Sequence, residues 1–293
     1  MNPEPFFQVA HRELSQVLYD IHVTMSLVQS LPVVEAKLYL NSIYLNSIRG
    51  DSDRYWIPWT EQIGVWINCD GRSVSILVSE GFDNIEVESS LANCMTAVVL
   101  GACLNLQGRI AIHANAVALE NVAAAFVGYS GRGKSTLTAY CLSRGAGFVT
   151  DDVLSVEPNG LVHLGCPRLK LYPHTGESFG LPATEDIDYK IHYHPEQLGG
   201  LVKEHPIPLG IIYLLEESPD NNIYSEQLSP SQAVFDLLTH SYYASQLISH
   251  NHALLDAYVR LVNQTPVKKL FYPRNFGMLP KVYDFLLEEI QQL

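Results

Sequence analysis

A chain of 293 residues, 47% hydrophobic and 17% charged, can bury a sizeable core, either as one large domain or as a small lobe beside a larger one. Its formal net charge of -13 makes the surface acidic, which argues against a general affinity for nucleic acid or for anionic membranes. Apolar runs such as 123–127 and 211–215 are strand-sized, and the amino terminus MNPEPFFQVAHREL lacks the basic stretch and apolar core of a secretory signal, so a cytoplasmic protein is expected.

Cys69, Cys94, Cys103, Cys141 and Cys166 are widely spaced with no C-x-x-C pair, which favours reduced thiols over a disulfide framework or zinc knuckle. His192, Tyr193 and His194, with His205 nearby, place alternating imidazoles in one stretch. No carboxylate or cysteine completes a ligand set at useful spacing, so a polar loop is the reading.

In chain order, residues 17–87 alternate apolar and polar in short runs (VLYDIHVTMSLV, GVWINC, SVSILV, IEVE) between turn-like IRGDSDR, CDGR and EGFDN. They predict a β-rich lobe. Residues 89–106 predict a helix, capped by Ser89 or Ser90, with Leu91, Met95, Val98, Val99 and Cys103 on one face. The lobe with this connecting helix is taken as 1–106, and the remainder, 107–293, as the second domain. Next, RIAIHANAVALE and VAAAFVG flank the short turn Glu120-Asn121 and read as an antiparallel pair. Further strands are predicted at 147–149, 154–157, 161–164, 168–172 and 209–216, and helices at 229–238, 253–263 and 281–292. Strands and helices do not alternate regularly, so the expected class is α/β with a mixed sheet rather than a simple doubly wound one.

The sharpest chemical signal is GYSGRGKS, residues 128–135, which meets G-x-x-x-x-G-K-[ST] at each defined position. The apolar run 122–127 before it is long enough for a buried strand, and the residues after it continue as a helix. Gly128, Gly131 and Gly133 let backbone N–H groups close around phosphate oxygens at a positive helix end. Nucleotide contacts are therefore assigned to Gly128, Tyr129, Ser130, Gly131, Arg132, Gly133, Lys134, Ser135 and Thr136, with Lys134 on the β- and γ-phosphates of ATP and Ser135 on Mg²⁺. Asp151 and Asp152 close the segment GFVTDD, Asp151 standing seventeen positions after Lys134. One carboxylate of such a pair can hold Mg²⁺ and the other can take the proton of an attacking hydroxyl. Two adjacent ionised acids repel, so the pair makes sense beside a metal and a lysine.

The stretch 112–156, with IHANAV, GYSGRGKST, RGAGFVTDD and VLSV in that order, resembles the carboxy-terminal catalytic domain of HPr kinase/phosphorylase and its stand-alone relatives, some of which modify peptide precursors. The likeness continues more weakly through CPRLKLYP, GLPATEDIDYK, PLGIIYLLEES, PSQAVFDLL and FYPRNFGMLPKV, and the amino-terminal lobe, with SLP near Ser30, is similar to the stand-alone relatives. The resemblance implies a phosphoenolpyruvate carboxykinase-like P-loop core and assigns Asp152 to Mg²⁺, Asp151 to the base, and His113 to a position facing the phosphates. By itself, His113 reads as a structural histidine on an inward-facing strand. Tyr129 and Thr136 stand where the HPr enzymes usually carry acids, and CPRLKLYP stands where their glycine- and arginine-containing signature falls, which points away from HPr as acceptor.

Arg168, Lys170, Lys190 and Arg274 are the candidate cations for neutralising a transferring phosphoryl group. Arg168 and Lys170 share a strand face in a base-poor protein; Lys190 and Arg274 read more simply as surface bases. Residues 173–205 suggest an acceptor-facing loop or, equally, a disordered connector. The resulting expectation is a Mg²⁺-dependent ATP kinase acting on a serine or threonine hydroxyl of a peptide or small protein, with Asp151, Lys134, His113 and Arg168 catalytic and Ser135 and Asp152 on the metal. A regulatory nucleotide-binding module without transfer activity, a kinase of a small hydroxy metabolite and phosphoenolpyruvate carboxykinase itself stay as alternatives. The family tends to assemble, while the sequence marks no interface, so the oligomeric state is left open.

Overall fold

The computed structural model describes residues 21–31, 49–50, 54–79, 91, 94–182, 190–248 and 251–293. The chain forms two compact units, Met1–Gly108 with Tyr242–Leu254, and Arg109–Ser241 with Leu255–Leu293. The sequence alone places the cut at 106/107 and gives no sign that 242–254 returns to the first unit.

In the first unit, β1 (His22–Val28), β2 (Arg49–Gly50), β3 (Arg54–Pro58), β4 (Ile63–Asn68) and β5 (Ser73–Ser79) form a five-stranded sheet of order β1-β5-β4-β3-β2. Period-two alternation sends Ile63, Val65 and Ile67 of β4 and Val74, Ile76 and Val78 of β5 into the core. On the other face Trp56 and Trp66 pair across β3 and β4 at 4.8 Å, and the Arg54 guanidinium lies 4.1 Å over the Trp66 ring. Gly64 is required there, because a Cβ would collide with the Trp56 indole. Two strands were not foreseen: β2 forms inside the segment read as the turn IRGDSDR, and β3 is too short for its alternation to stand out. The strand expected at IEVE and the cap at Ser89 or Ser90 lie outside the described residues.

The predicted helix includes a π-helical stretch, Cys94–Val99, that runs into α1 (Leu100–Leu106). Its five named face residues are all buried, but so are Cys94, Leu100, Ala102 and Leu104, so the helix is apolar on nearly every side. Gly101 lies under the Tyr242 ring and Asn105 Nδ2 donates to Tyr242 O at 2.8 Å, two contacts that tie 242 into this unit.

The second unit contains a nine-stranded mixed sheet. Its strands in chain order are β6 (Ile110–Leu119), β7 (Val122–Val127), β8 (Gly147–Thr150), β9 (Val153–Val156), β10 (Leu161–Val162), then, after the small β11 (Leu169–Leu171) and β12 (Ile191–Tyr193) ribbon, β13 (Leu201–Val202), β14 (Ile207–Glu217), β15 (Tyr224–Gln227) and β16 (Val267–Tyr272). The β6–β7 hairpin turns at Glu120-Asn121, where Glu120 adopts φ 52°. β7 is central: β6 pairs with it antiparallel and β14 parallel, which satisfies its backbone on both sides.

The helices of this unit are α2 (Lys134–Ser143), α3 (Pro173–Ser178), α4 (Pro230–Thr239), then α6 (His252–Gln264), which follows the first unit's α5 (Ala244–Leu247) and starts in that unit, and α7 (Leu279–Ile290). Ser229 caps α4 by accepting from Gln232 N, with Pro230 at the first helical position. On one face of the sheet Phe126, Ile211, Tyr213, Leu215 and Leu270 pack with Leu137 and Leu142 of α2 and Val282 and Leu286 of α7. Leu137 is fully buried, and truncating such a leucine to alanine costs about 2–5 kcal/mol.

β16 was missed because VKKLFY carries two lysines in a central strand. Glu289 of α7 accounts for one of them, accepting from Lys268 Nζ at 2.6 Å, Tyr213 Oη at 2.9 Å and Ser225 Oγ at 2.8 Å. β12 corrects the reading of His192–His194 as a loop, and α3, β12 and β13 replace much of the single loop expected over 173–205; residues 183–189 lie outside the described set. The described cysteines are free, with Cys94, Cys103 and Cys141 buried. Among the described residues no helix is long and apolar enough to cross a membrane.

Candidate functional site

One residue of β6 places the glycine loop and the acid pair together. Ala114 pairs with Val127, the residue before Gly128, and its amide donates to Asp152 O at 3.0 Å. β8 and β9 run along the same side of β6, and the chain steps between them at Asp151-Asp152. Asp152 takes φ 72°, a left-handed conformation that aspartate tolerates better than most residues, and Thr150 Oγ1 braces the step by donating to Val153 O at 2.8 Å.

The loop leads from β7 into α2 through Gly133, whose φ of 93° is left-handed. A Cβ at Gly133 would stand 2.5 Å from Tyr272 Oη, which itself donates to Arg132 O at 3.0 Å. The first helical bond runs from Leu137 N to Gly133 O at 2.9 Å, so the amides of Lys134, Ser135 and Thr136 have no acceptor within the helix. Lys134 is buried and donates to Gly128 O at 2.5 Å, inside the curve of its own loop. A Cβ at Gly131 would meet open space. These are the features an anion needs: unsatisfied N–H groups, a buried cation and room at the loop crest. Ser135 and Asp152 add hard oxygen donors of the kind Mg²⁺ takes. Among the described residues no group of three or more His, Cys, Asp or Glu is placed to hold a metal ion.

The β11–β12 ribbon closes the other side. Leu169 and Leu171 face the core with Tyr193, so the opposite face carries Lys170 and its cross-strand partner His192. Lys170 holds both acids: its amide donates to Asp151 Oδ2 at 2.8 Å and its ammonium to Asp152 Oδ2 at 2.6 Å. Lys190 is exposed, with its ammonium 5.4 Å over the Tyr172 ring.

These surroundings push the two carboxyls apart. Burial, then the charge of Asp152, raises Asp151 to about 7, against the Lys170 amide and the charges of Lys170 and Lys190. Burial also acts to raise Asp152, but the charge and hydrogen bond of Lys170, with the charge of Lys190, outweigh it and hold that carboxyl below its ordinary value. Burial and the nearby Lys190 bring Lys134 down to about 8, with Asp152 and Asp151 pulling the other way. Burial and Lys134 hold His113 at about 4, and the same two causes hold His240 at about 4. Two carboxyls with values driven in opposite directions are the usual arrangement for splitting an acid–base role between them.

Lys134 thus lies within electrostatic reach of Asp151, Asp152 and His113, and His113 within reach of Asp152. Arg168 is set differently: its charge acts on His192, which partial burial, Lys170 and Arg168 together hold at about 4, while Lys170 and Lys190 are the cations acting on the acid pair. Lys190 and Arg274, read from sequence as surface bases, both lie at the site, Arg274 donating to Gly131 O. Tyr129 and Ser130 are exposed at the loop crest, the Tyr129 and His240 rings meeting steeply inclined with centroids 4.7 Å apart. His240 was not anticipated. It ends α4, its carbonyl accepts from His113 N at 2.8 Å, and no local motif marks it.

No protein-family model and no curated protein matches the chain. Among solved structures it is similar to the HPr(Ser) kinase/phosphatase from Coxiella burnetii, with a TM-score of 0.36 and 12% identity over 62% of this chain and 97% of that one. An overlap so slight assigns neither fold nor activity.

Proposed function

We propose that the larger unit is a P-loop kinase of the phosphoenolpyruvate carboxykinase-like class, transferring the γ-phosphate of ATP to a serine or threonine hydroxyl of a peptide or small protein. The observation that carries the proposal is the single residue Lys170, which engages Asp151 through its amide and Asp152 through its ammonium within the field of the loop lysine Lys134. A glycine loop alone would support nucleotide binding only. A loop lysine facing two carboxyls held in different ionisation states supports proton removal and charge neutralisation together.

In this reading the amides of Lys134, Ser135 and Thr136 and the Lys134 ammonium bind and orient the phosphates. Asp151, near 7, takes the proton from the acceptor hydroxyl as its oxygen attacks in line. Asp152 stays ionised and, with Ser135, would hold Mg²⁺, whose chemistry is to neutralise phosphate charge. Lys190, just before β12, acts electrostatically on both acids and is the cation we assign to the transferring group, with Lys170 fixing both carboxylates. His113 and His240, neutral beside Lys134, add no competing positive charge.

The test is to incubate the purified protein with Mg²⁺ and ATP labelled in the γ-phosphate, over a library of serine- and threonine-containing peptides. Label on a hydroxyl supports the proposal. ATP binding without transfer to any peptide would defeat it and leave a nucleotide-dependent binding module. That second reading has one observation in its favour, the 2.6 Å Lys170–Asp152 pair, which already engages an oxygen of the carboxylate assigned to the metal.

A further inference from the structure

Strands β7, β14 and β16 of the larger unit are parallel and lie side by side in that order, so their carboxyl ends open along one edge. In open α/β sheets ligands bind outside the carboxyl ends of parallel strands. The glycine loop leaves the first of the three, Glu217 ends the second, and Pro273–Met278 follows the third. Adjacent strands are about 4.8 Å apart, so β16 lies roughly 10 Å across the edge from β7. A triphosphate chain covers such a span from its terminal phosphate to its sugar.

The segment after β16 is fastened to the loop. Tyr272 Oη donates to Arg132 O at 3.0 Å, and the Arg274 guanidinium donates to Gly131 O. Arg274 also meets Glu217 at 3.4 Å, so one guanidinium links the loop to the end of the middle strand. Asn275 shapes the following turn by accepting from Met278 N at 3.1 Å. Phe276 then stands 44% exposed, with Phe179 behind it at a centroid distance of 5.9 Å. A ring packed against another on one side and part-exposed presents a face on which a planar group can stack.

We infer that Phe276 is the stacking platform for the base of the bound nucleotide and that Glu217 accepts from its ribose hydroxyls. The inference rests on the nucleotide-binding reading of the glycine loop. Stacking is indifferent to the identity of the base because every base presents a π-face, so ATP and GTP bind alike, and the selectivity of the site is for ribose and for a base of any kind.

Calorimetric titration of the whole protein with ATP and with inorganic tripolyphosphate, both with Mg²⁺, separates the two halves of the site. The wild type binds ATP more tightly than tripolyphosphate. Phe276→Leu, which keeps apolar packing on Phe179, weakens ATP about tenfold and leaves tripolyphosphate unchanged, and Phe276→Trp restores ATP. Glu217→Gln removes a preference of about threefold to tenfold for ATP over its 2′,3′-dideoxy form. Equal weakening of both ligands by Phe276→Leu, no weakening of either, or failure of Phe276→Trp to restore ATP overturns the platform; an unchanged dideoxy preference in Glu217→Gln overturns the ribose contact. Tripolyphosphate binding as tightly as ATP to the wild type sinks the base site while sparing the loop. Binding of neither sinks both.

Discussion

The glycine loop and the β11–β12 ribbon supply the same site by opposite means. The loop is contiguous, the groups it offers an anion are mostly backbone amides, and one central strand, β7, fixes it. The ribbon offers side chains at positions 170 and 192 and, just outside its strands, at 172 and 190, and Lys170 and His192 share a face only because two short strands pair. A backbone cradle demands glycine at left-handed φ, and that demand shows in composition. A charged wall demands only that certain side chains share a face, which no single segment displays.

The comparison is tested first at the acids that face both halves. Asp151→Asn is expected to lower the transfer rate by about 10³-fold without loss of ATP affinity, as measured by single-turnover assay beside calorimetry. A variant that still transferred at the wild-type rate would remove Asp151 as base. Next come matched lysine truncations: Lys134→Met should weaken tripolyphosphate binding by about 10²-fold, whereas Lys170→Met should leave that binding within about twofold and slow transfer by about 10–100-fold. Equal effects of the two on binding would erase the distinction between cradle and wall.

A pH profile sharpens it further. Transfer requires Asp151 ionised and Lys134 charged, so kcat/KM should rise as pH passes about 7 and fall as it passes about 8. Lys170→Met removes a charge that favours the Asp151 carboxylate, so the rising limb should move to higher pH; an unmoved limb would separate Lys170 from the base. The smallest effect is on stability. Because the folded value of Asp151 lies above its ordinary 3.8, its contribution to stability is present below that value and is lost as pH rises through about 7. Asp151→Asn escapes the loss, so its Tm should exceed that of the wild type by several degrees at pH 8 and converge with it near pH 4. A constant gap across pH would contradict the burial of the ionised acid.

The same contrast explains what could be read in advance. The hairpin around Glu120-Asn121, the strand before the loop and α2 follow from local pattern, and Leu209 to Glu216 is apolar enough to announce β14. β16 was hidden because Lys268 looks like surface until Glu289 is placed against it. α3 and α5 are too short to carry a helical period. His240 reaches the site through a backbone bond to His113 that depends on where α4 ends.

The sequence by itself determined the loop, the order strand–loop–helix, the acid pair and the mixed α/β character, because each rests on residues adjacent in the chain or on a short repeat. Only the tertiary structure decided which cations meet the acids. The charges of Lys170 and Lys190 act on both acids and that of Arg168 on His192, across chain distances that no local pattern spans. It also decided the ionisation of Asp151 against Asp152: neighbours in sequence with the same chemistry are set apart by burial and by the charge each one meets.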